Sequence, residues 1–256
     1  PQLGRFRFHE ENDFDSMKRK TARVIRILES LLGTPRQKKA HTDPLDMLIG
    51  TLLSQNTNDR NSHRAYRQLR KKFPTWKKVA SAPVDAIASA IRVGGMKNQK
   101  SKRIKALLKK ILEKSGSYSL RVLKGMNDND VIEMLTSYNG IGYKTAACVL
   151  LFSLRREVFP VDTHIHRISN RLGLVETNTP EKTFEAMKPL VPTGKSYSFH
   201  TNLIRFGRTV CIAQRPRCGQ CPLYDECVFS RKEIYASAKH PVLSRRNTDF
   251  MLLDEI

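Results

Sequence analysis

Residues 135–167 constrain the fold more than any other part of the chain. The segment contains two runs of apolar residues at helical spacing, separated only by the tetrapeptide Asn-Gly-Ile-Gly at 139–142. Two glycines on either side of one apolar residue permit a tight reversal that larger side chains would block. The pattern therefore predicts two helices joined by a very short turn.

The start of the second predicted helix, at Tyr143, is a place where an anion can bind. The first backbone N–H groups of a helix have no partner within it, and the helix dipole favours negative charge there. The chain carries 46 Lys and Arg against 24 Asp and Glu, a formal net charge of +22. Such an excess points to nucleic acid as a partner, against the alternative of a basic surface that is only solvated. A DNA phosphate is therefore the natural candidate for the anion.

Lys144 lies in the first turn of that helix, where a cation is electrostatically unfavourable. Asp162 follows 18 residues later, in the sequence Val-Asp-Thr-His at 161–164. Taken singly, the two are most simply a surface lysine and an aspartate that caps a helix. A lysine at a helix N-terminus and a carboxylate from a separate segment can also generate an amine nucleophile, so together they predict a catalytic pair.

Four of the five cysteines, at positions 211, 218, 221 and 227, are confined to 17 residues. A cluster of this kind in an intracellular chain indicates a metal site rather than disulfides. Sets of four thiolates hold zinc or an iron–sulfur cluster, although the spacing here lacks the paired C-x2-C arms of a zinc ribbon. The fifth cysteine, Cys148, falls on the apolar face of its predicted helix, and we expect it to pack in the core.

The rest of the chain also favours helices, because almost no period-2 alternation is present. The fold class is therefore predicted to be all-α, with residues 1–16 irregular. Helical patterns cover 17–32, 44–53, 60–73, 76–91 with a break at Pro83, 97–114, 131–137, 143–153, 167–174, 181–190 and 198–207.

No apolar run approaches the ~20 residues that a membrane-spanning helix needs. Residues 1–15 lack the apolar core of a signal peptide. We therefore expect an intracellular protein without a membrane partner.

The sequences GIGYKTA at 140–146 and VDTHIHR at 161–167 resemble the helix-hairpin-helix and catalytic loop of endonuclease III-type DNA glycosylases. The resemblance extends from about residue 44 to residue 227. It implies a two-lobed fold, with a six-helix domain over 42–156 and a cluster-bearing domain formed by 1–41 with 157–230. Residues 231–256 match nothing in this pattern and are expected to form an accessory tail. Many members have arginine where this chain has Tyr143, a difference that leaves the lysine in register.

The resemblance implies a monomeric, bifunctional DNA glycosylase with AP lyase activity, which removes damaged pyrimidines from duplex DNA in base excision repair. Neutral Lys144 would attack C1′ and form a Schiff base, after which β-elimination breaks the strand. Asp162 would help to deprotonate Lys144 and would stabilise the positive charge that develops on the sugar.

The resemblance also implies a [4Fe–4S] cluster, because endonuclease III and adenine-mismatch glycosylases hold one with the same cysteine spacing. Its ligands would be Cys211, Cys218, Cys221 and Cys227, and its role would be structural. His164 and His166 are expected to pack or to contact phosphate rather than to bind metal. The predicted DNA contacts are the phosphate-binding turn, two side chains that fill the gap left by an extruded base, and the basic loop beside the cluster: Gly140, Ile141, Gly142, Gln55, Met96, Arg215 and Arg217.

Three alternatives compete with this interpretation. Adenine-mismatch glycosylases share the fold but lack the hairpin lysine and usually carry a further C-terminal domain. Mismatch-specific thymine or uracil glycosylases share the fold and cluster, but their hairpin position is typically not lysine. A non-catalytic DNA-binding module would bind without releasing a base and would lose nothing when Lys144 is changed. The presence of Lys144 favours the bifunctional enzyme.

Overall fold

The computed structural model of the chain describes residues 11–37 and 42–237. Within these ranges the regular structure is helical and no strand occurs, which confirms the all-α prediction. None of the helices in these ranges is long and apolar enough to cross a membrane. Residues 1–10, 38–41 and 238–256 lie outside the described ranges, and with them most of the predicted tail.

The α-helices of the described ranges vary in length from five to 22 residues. They are α1 (Glu11–Leu32), α2 (Pro44–Ser54), α3 (Asp59–Lys72), α4 (Trp76–Ser81), α5 (Val84–Ala90), α6 (Lys97–Ser115), α7 (Asp128–Thr136), α8 (Tyr143–Cys148), α9 (Thr163–Arg171), α10 (Pro180–Met187), α11 (Ser196–Thr209) and α12 (Lys232–Ala236). Short 3-10 turns span Arg92–Gly94, Arg121–Gly125 and Cys218–Gln220, and α8 continues directly into a π-helical segment, Val149–Ser153.

Many of the helices begin where side chains can cap them. An oxygen on the N-cap side chain accepts a backbone N–H from the first turn, which satisfies a donor that the helix itself leaves unpaired. Two of the helices also have proline in the first turn, where its missing N–H costs nothing. The capping residues are Asp43, Asn58, Thr75, Asn127, Asp162 and Thr179.

Contacts divide the described residues into two compact units. The first unit contains the described residues up to Arg36 together with those from Glu157 onward. The second unit contains those from Gln37 to Arg156. Each unit has buried apolar residues of its own, such as Leu203 in the first and Leu48 in the second.

The second unit is organised around α2, whose residues are buried along almost the whole helix. It packs against α3, α6 and α8, while α5 packs against α6. Because α8 lies against this central helix, Ala146, Ala147 and Cys148 are fully buried. Cys148 thus packs in the core, as expected from its helical position.

The first unit is built on α11, which packs against α1 and α9. Val24 and Leu28 of α1 are fully buried. Glu29 accepts hydrogen bonds from Lys195 Nζ at 3.0 Å and from Ser198 Oγ at 2.9 Å, and these contacts fix α1 on the N-terminal turn of α11.

The prediction that residues 1–16 are irregular is wrong for 11–16, which form the first turns of α1. The acidic residues of this stretch suit a helix N-terminus, where negative charge is favourable. The Lys18 Nζ atom, one turn further along the helix, also lies 4.2 Å from the centroid of the Phe14 ring. Local charge and this ring contact stabilise a turn whose hydrophobic pattern is too weak to predict it.

Candidate functional site

The predicted hairpin turn joins α7 to α8 in the second unit. Gly140 has φ +83°, a left-handed conformation that favours glycine, and Ile141 anchors the turn because its side chain is almost fully buried. Gly142 is extended, at φ −94°, and an added Cβ there would meet no atom within 4 Å. Gly140 therefore sets the shape of the turn, while Gly142 leaves open space before the first N–H groups of α8.

Lys144 is the second residue of α8, in the first turn as predicted, and its side chain is half-buried. The N-cap position is occupied by Gly142, which has no side chain to cap the helix. The positive end of the α8 dipole therefore lies at this turn, next to the backbone of Lys144, and no side chain of the N-cap residue covers it.

Asp162 is the N-cap of α9 in the first unit. Its Oδ1 atom accepts the backbone N–H groups of both His164 and Ile165 at 2.9 Å. The simple interpretation of this residue as a cap is thus correct, and the cap fixes the orientation of the carboxylate. Lys144 and Asp162 belong to different units, and their cooperation on one substrate stays a prediction.

The two histidines that follow Asp162 have protein partners. His164 Nδ1 lies 3.2 Å from Arg167 Nη2, and His166 Nδ1 lies 2.6 Å from Thr183 Oγ1. Burial lowers the pKa of His164, while the Asp162 carboxylate acts in the opposite direction. No three His, Cys, Asp or Glu side chains in the described ranges converge on a position for a single metal ion.

In the second unit, the structure brings Gln55, Met96 and the hairpin turn together. Gln55 Nε2 donates to the Gly140 carbonyl oxygen at 3.5 Å, and Asn56 Nδ2 donates to Met96 Sδ at 3.5 Å. Met96 is 46% exposed, as a side chain that contacts DNA must be. Three separate segments that the sequence assigned to DNA binding therefore form one surface.

Arg103 of α6 completes this surface, and sequence reasoning missed it. Its Nη1 atom donates to Gln55 Oε1 at 3.4 Å. A Cβ added to Gly140 would lie 3.2 Å from the Arg103 side chain, which shows how closely the arginine approaches the turn. The basic helix pattern includes Arg103 but does not distinguish it from the other cations of α6.

In the first unit, the four clustered cysteines occupy one loop and none forms a disulfide. The pKa values of Cys218, Cys221 and Cys227 are all raised, that of Cys221 to about 12, mainly because these thiols are buried and also because the neighbouring thiols oppose their ionisation. Backbone N–H groups of Leu223 and Phe229 act in the opposite direction on Cys221 and Cys227. These thiols would therefore have to release their protons in order to bind iron.

Arg171 of α9 holds this cysteine loop in place. Its guanidinium donates to the carbonyl oxygens of Ile212 at 2.9 Å and Ala213 at 2.8 Å, and to Cys211 Sγ at 3.4 Å. The Arg171 carbonyl in turn accepts the Cys227 thiol at 3.1 Å. One arginine thus contacts both ends of the cysteine array, and no spacing rule in the sequence identifies it.

The donor set fits a [4Fe–4S] cluster. Arg171 and Lys232 lower the pKa of the Cys218 and Cys227 thiols, so these two cations favour the thiolate forms that such a cluster needs. Each of the four cysteines would supply one thiolate to such a cluster. In the same loop Arg215 is exposed and Arg217 is half-buried.

Residues 231–237, the start of the predicted tail, pack on this loop. Lys232 Nζ donates to the carbonyl oxygens of Tyr224 at 3.1 Å and Cys227 at 2.8 Å. A Cβ added to Gly219 would lie 2.5 Å from the Ala236 carbonyl oxygen, so α12 lies directly on the glycine. The first part of the tail therefore covers the cysteine loop.

Two family models match the chain. Residues 49–193 match the HhH-GPD superfamily base excision DNA repair protein, and residues 211–227 match the iron–sulfur binding domain of endonuclease III. The second match begins at Cys211 and ends at Cys227. It confirms the predicted [4Fe–4S] cofactor, while the assignment of each cysteine as a ligand stays a prediction.

Known proteins resemble the chain over most of its length. Endonuclease III of Thermotoga maritima is 39% identical over 198 residues, which cover 77% of this chain and 88% of the relative. An endonuclease III homolog of Encephalitozoon cuniculi is 32% identical over 211 residues, covering 77% and 84%.

Solved structures share the fold at lower identity. An endonuclease III in a non-covalent DNA complex superposes with a TM-score of 0.72 at 23% identity, over 85% of this chain and 98% of that one. A thermostable thymine-DNA glycosylase gives 0.70 at 21% identity, over 85% and 100%. The matched regions, the cysteine loop and the helical fold agree, and the chain belongs to the HhH-GPD superfamily of base excision DNA repair proteins, as a DNA glycosylase of the endonuclease III type with an iron–sulfur cluster.

Proposed function

We propose that this chain removes damaged, oxidised pyrimidines from duplex DNA and then cleaves the strand through a Schiff base on Lys144. The observation that carries the proposal is the position of this lysine, in the first turn of α8 and directly after the Gly140–Gly142 turn. A turn that binds phosphate next to a half-buried amine holds the sugar of the same nucleotide within reach of the nucleophile.

The chemistry assigns separate tasks to Lys144 and Asp162. The lysine attacks C1′ as a neutral amine, and the damaged base leaves with the electron pair of its glycosidic bond. The amine then loses a proton to solvent or to a nearby base, the C1′–O4′ bond breaks to open the sugar ring, and an iminium links Nζ to C1′. Removal of a proton from C2′ expels the 3′ phosphate and breaks the strand.

Asp162 supports this reaction as a carboxylate. Positive charge develops at C1′ as the base departs, and a nearby negative charge stabilises that transition state. Because Oδ1 is committed to the cap of α9, the carboxyl group is held in one orientation. We also assign it a part in deprotonating Lys144.

The remaining predicted residues bind DNA or the cofactor. Gln55 and Met96 fill the gap left by the extruded nucleotide, which their shared surface with the hairpin turn supports. Cys211, Cys218, Cys221 and Cys227 hold the [4Fe–4S] cluster, which stabilises the loop when it is bound. Arg215, and with it Arg217, contacts phosphate from that loop. We further propose that the protein acts inside the cell as a monomer.

Borohydride trapping tests this function. Duplexes that contain an oxidised pyrimidine, an abasic site or no damage are incubated with the unaltered protein, Lys144→Gln, Asp162→Asn and the surface control Lys110→Gln. We expect a covalent complex on the oxidised base and on the abasic site. It should disappear in Lys144→Gln and persist in Lys110→Gln.

Other outcomes contradict specific parts of the proposal. Trapping on the abasic site alone would retain the lyase and reject the oxidised pyrimidine as substrate. Base release without trapping would indicate a monofunctional mismatch glycosylase. Tight, salt-sensitive binding with neither trapping nor base release would leave only a DNA-binding module.

A further inference from the structure

Lys100 of α6 is buried beneath the surface that contains Gln55 and Met96. Among the described residues, it is the only Lys, Arg, Asp or Glu that is fully buried, with 2% of its surface exposed. Its ammonium group donates to the Leu53 carbonyl oxygen at 2.8 Å and to the Gly94 carbonyl oxygen at 2.7 Å. Both of these partners are neutral backbone groups rather than carboxylates.

Each of these carbonyl groups lies two residues before a predicted DNA contact. Leu53 is in the last turn of α2 and precedes Gln55, while Gly94 ends a 3-10 turn and precedes Met96. Carbonyl groups at the end of a helix have no partner within it and carry the negative end of its dipole. A cation between them therefore binds the two elements together at the points where both loops begin.

Both loops contain a residue in the left-handed region. Asn56 has φ +53° and Met96 has φ +47°, and neither is glycine. Such a conformation is unfavourable for residues other than glycine and persists only where the surrounding structure enforces it. The loops touch each other at the surface through Asn56 and Met96, and Lys100 connects them from below.

Burying Lys100 costs free energy. What offsets this cost is the arrangement that its two hydrogen bonds impose on the Leu53 and Gly94 carbonyl groups. Burial lowers the pKa of this lysine to about 8, because the charged form is poorly solvated in the interior. An apolar side chain of similar length would fill the same space without that cost. It would leave the two carbonyl groups without a donor and the loops without a common anchor.

We propose that Lys100 is a positioning residue that sets the separation of Gln55 and Met96 for base extrusion. The inference rests on the proposed function, because it assumes that these two side chains fill the gap in the DNA stack. Lys100 itself touches neither DNA nor the reacting atoms. Its effect on the reaction is confined to steps in which a nucleotide leaves the duplex.

The substitution Lys100→Met tests this role, and Lys105→Met is the matched control. Lys105 lies on the same helix and donates to the Ala82 carbonyl oxygen at 2.6 Å, away from both loops. The two variants therefore remove the same kind of lysine–carbonyl bond from α6. The melting temperature of each variant reports the structural part of its effect.

Three measurements are compared between the unaltered protein and these two variants. The first is fluorescence of 2-aminopurine beside a reduced abasic site in duplex DNA at saturating protein, which reports unstacking. The second is single-turnover base release from a damaged duplex, and the third is cleavage at an abasic site in single-stranded DNA. We expect Lys100→Met to show no increase in fluorescence. Its rate of base release should fall about 100-fold, which is the effect of displacing the positioning side chains by about 1 Å. Single-strand cleavage and all three activities of Lys105→Met should change little.

Two results would overturn the proposal. Full 2-aminopurine fluorescence in Lys100→Met would show that the loops do not need the lysine. Equal losses of all activities in both variants, in proportion to melting temperature, would show a purely structural role. If the unaltered protein releases no base, the proposed function fails, while the fluorescence comparison still decides the role of Lys100.

Discussion

Asp162 combines a structural role with the chemical role proposed for it. One carboxylate oxygen accepts two backbone N–H groups at the start of α9, and this requires an oxygen acceptor but no negative charge. Stabilising a sugar cation, by contrast, requires the charge. Different substitutions can therefore separate the two roles.

We predict that Asp162→Asn retains the cap while Asp162→Ala loses it, because Asn and Asp cap helices about equally well. Thermal unfolding should show little change for the first variant and a loss of about 1 kcal/mol for the second. Base release should fall by about 100-fold or more in both, since both lack the charge. A fully active Asp162→Asn protein would restrict Asp162 to capping.

Lys100 gives a prediction about pH. Its folded-state pKa of about 8 lies below its ordinary value of 10.5, so between these values the unfolded chain binds the proton and the folded chain does not. Stability attributable to this residue therefore rises with pH across that window, by about 3 kcal/mol in total. The melting temperature of the unaltered protein relative to Lys100→Met should increase from pH 8 to pH 10.5. A pH-independent difference would contradict a buried, charged lysine at neutral pH.

At the scale of elements, the sequence predicts what local chemistry determines. The helix start predicted at residue 44 is observed, with Asp43 as its cap, and the glycine pair predicts the turn before α8, because these signals act within a few residues. The roles of Lys100 and Arg171 could not be predicted. Each binds a backbone carbonyl group that is remote in sequence, that of Leu53 for Lys100 and that of Ile212 for Arg171, and every residue type has such a group.

The contact of α12 with the cysteine loop was also beyond sequence reasoning. It depends on Gly219, where the absence of a side chain lets the Ala236 carbonyl approach. A glycine in a loop indicates flexibility as readily as close approach, and only the second element shows which applies. The catalytic pair and the cluster ligands assigned from the family pattern stay predictions.

We predict that Gly219→Ala displaces α12 from the cysteine loop. The added methyl would overlap the Ala236 carbonyl, and overpacking of this kind costs about 1–3 kcal/mol. Hydrogen exchange of the Lys232–Ala236 amides should accelerate, and a chelator should remove iron faster. Gly125→Ala is the control, because its Cβ would meet nothing within 4 Å. Unchanged exchange in α12 would show that the loop absorbs the methyl.

For the whole molecule, the formal charge of +22 favours binding to a polyanion, and the surfaces that a phosphate backbone can contact are the basic ones. One such surface in the second unit is an open cleft of about 650 Å³ beside α3. Arg64, Gln68 and Lys72 line it at intervals of four residues, and these positions lie on one face of the helix over about 12 Å. Arg92 lines it from the 3-10 turn that leads to Met96, and none of the described residues that line it is acidic.

The salt dependence of DNA binding tests whether the phosphate backbone of DNA contacts this cleft. Each phosphate that a cation neutralises contributes about 0.9 to the slope of log affinity against log salt. Replacing Arg64, Lys72 and Arg92 with Gln should therefore make the slope shallower by about 2–3 on undamaged duplex. A control with Lys77, Lys78 and Lys188 changed to Gln removes the same charge from exposed positions outside the cleft. If both triple variants change the slope equally, DNA responds to the overall charge of the protein and not to this cleft.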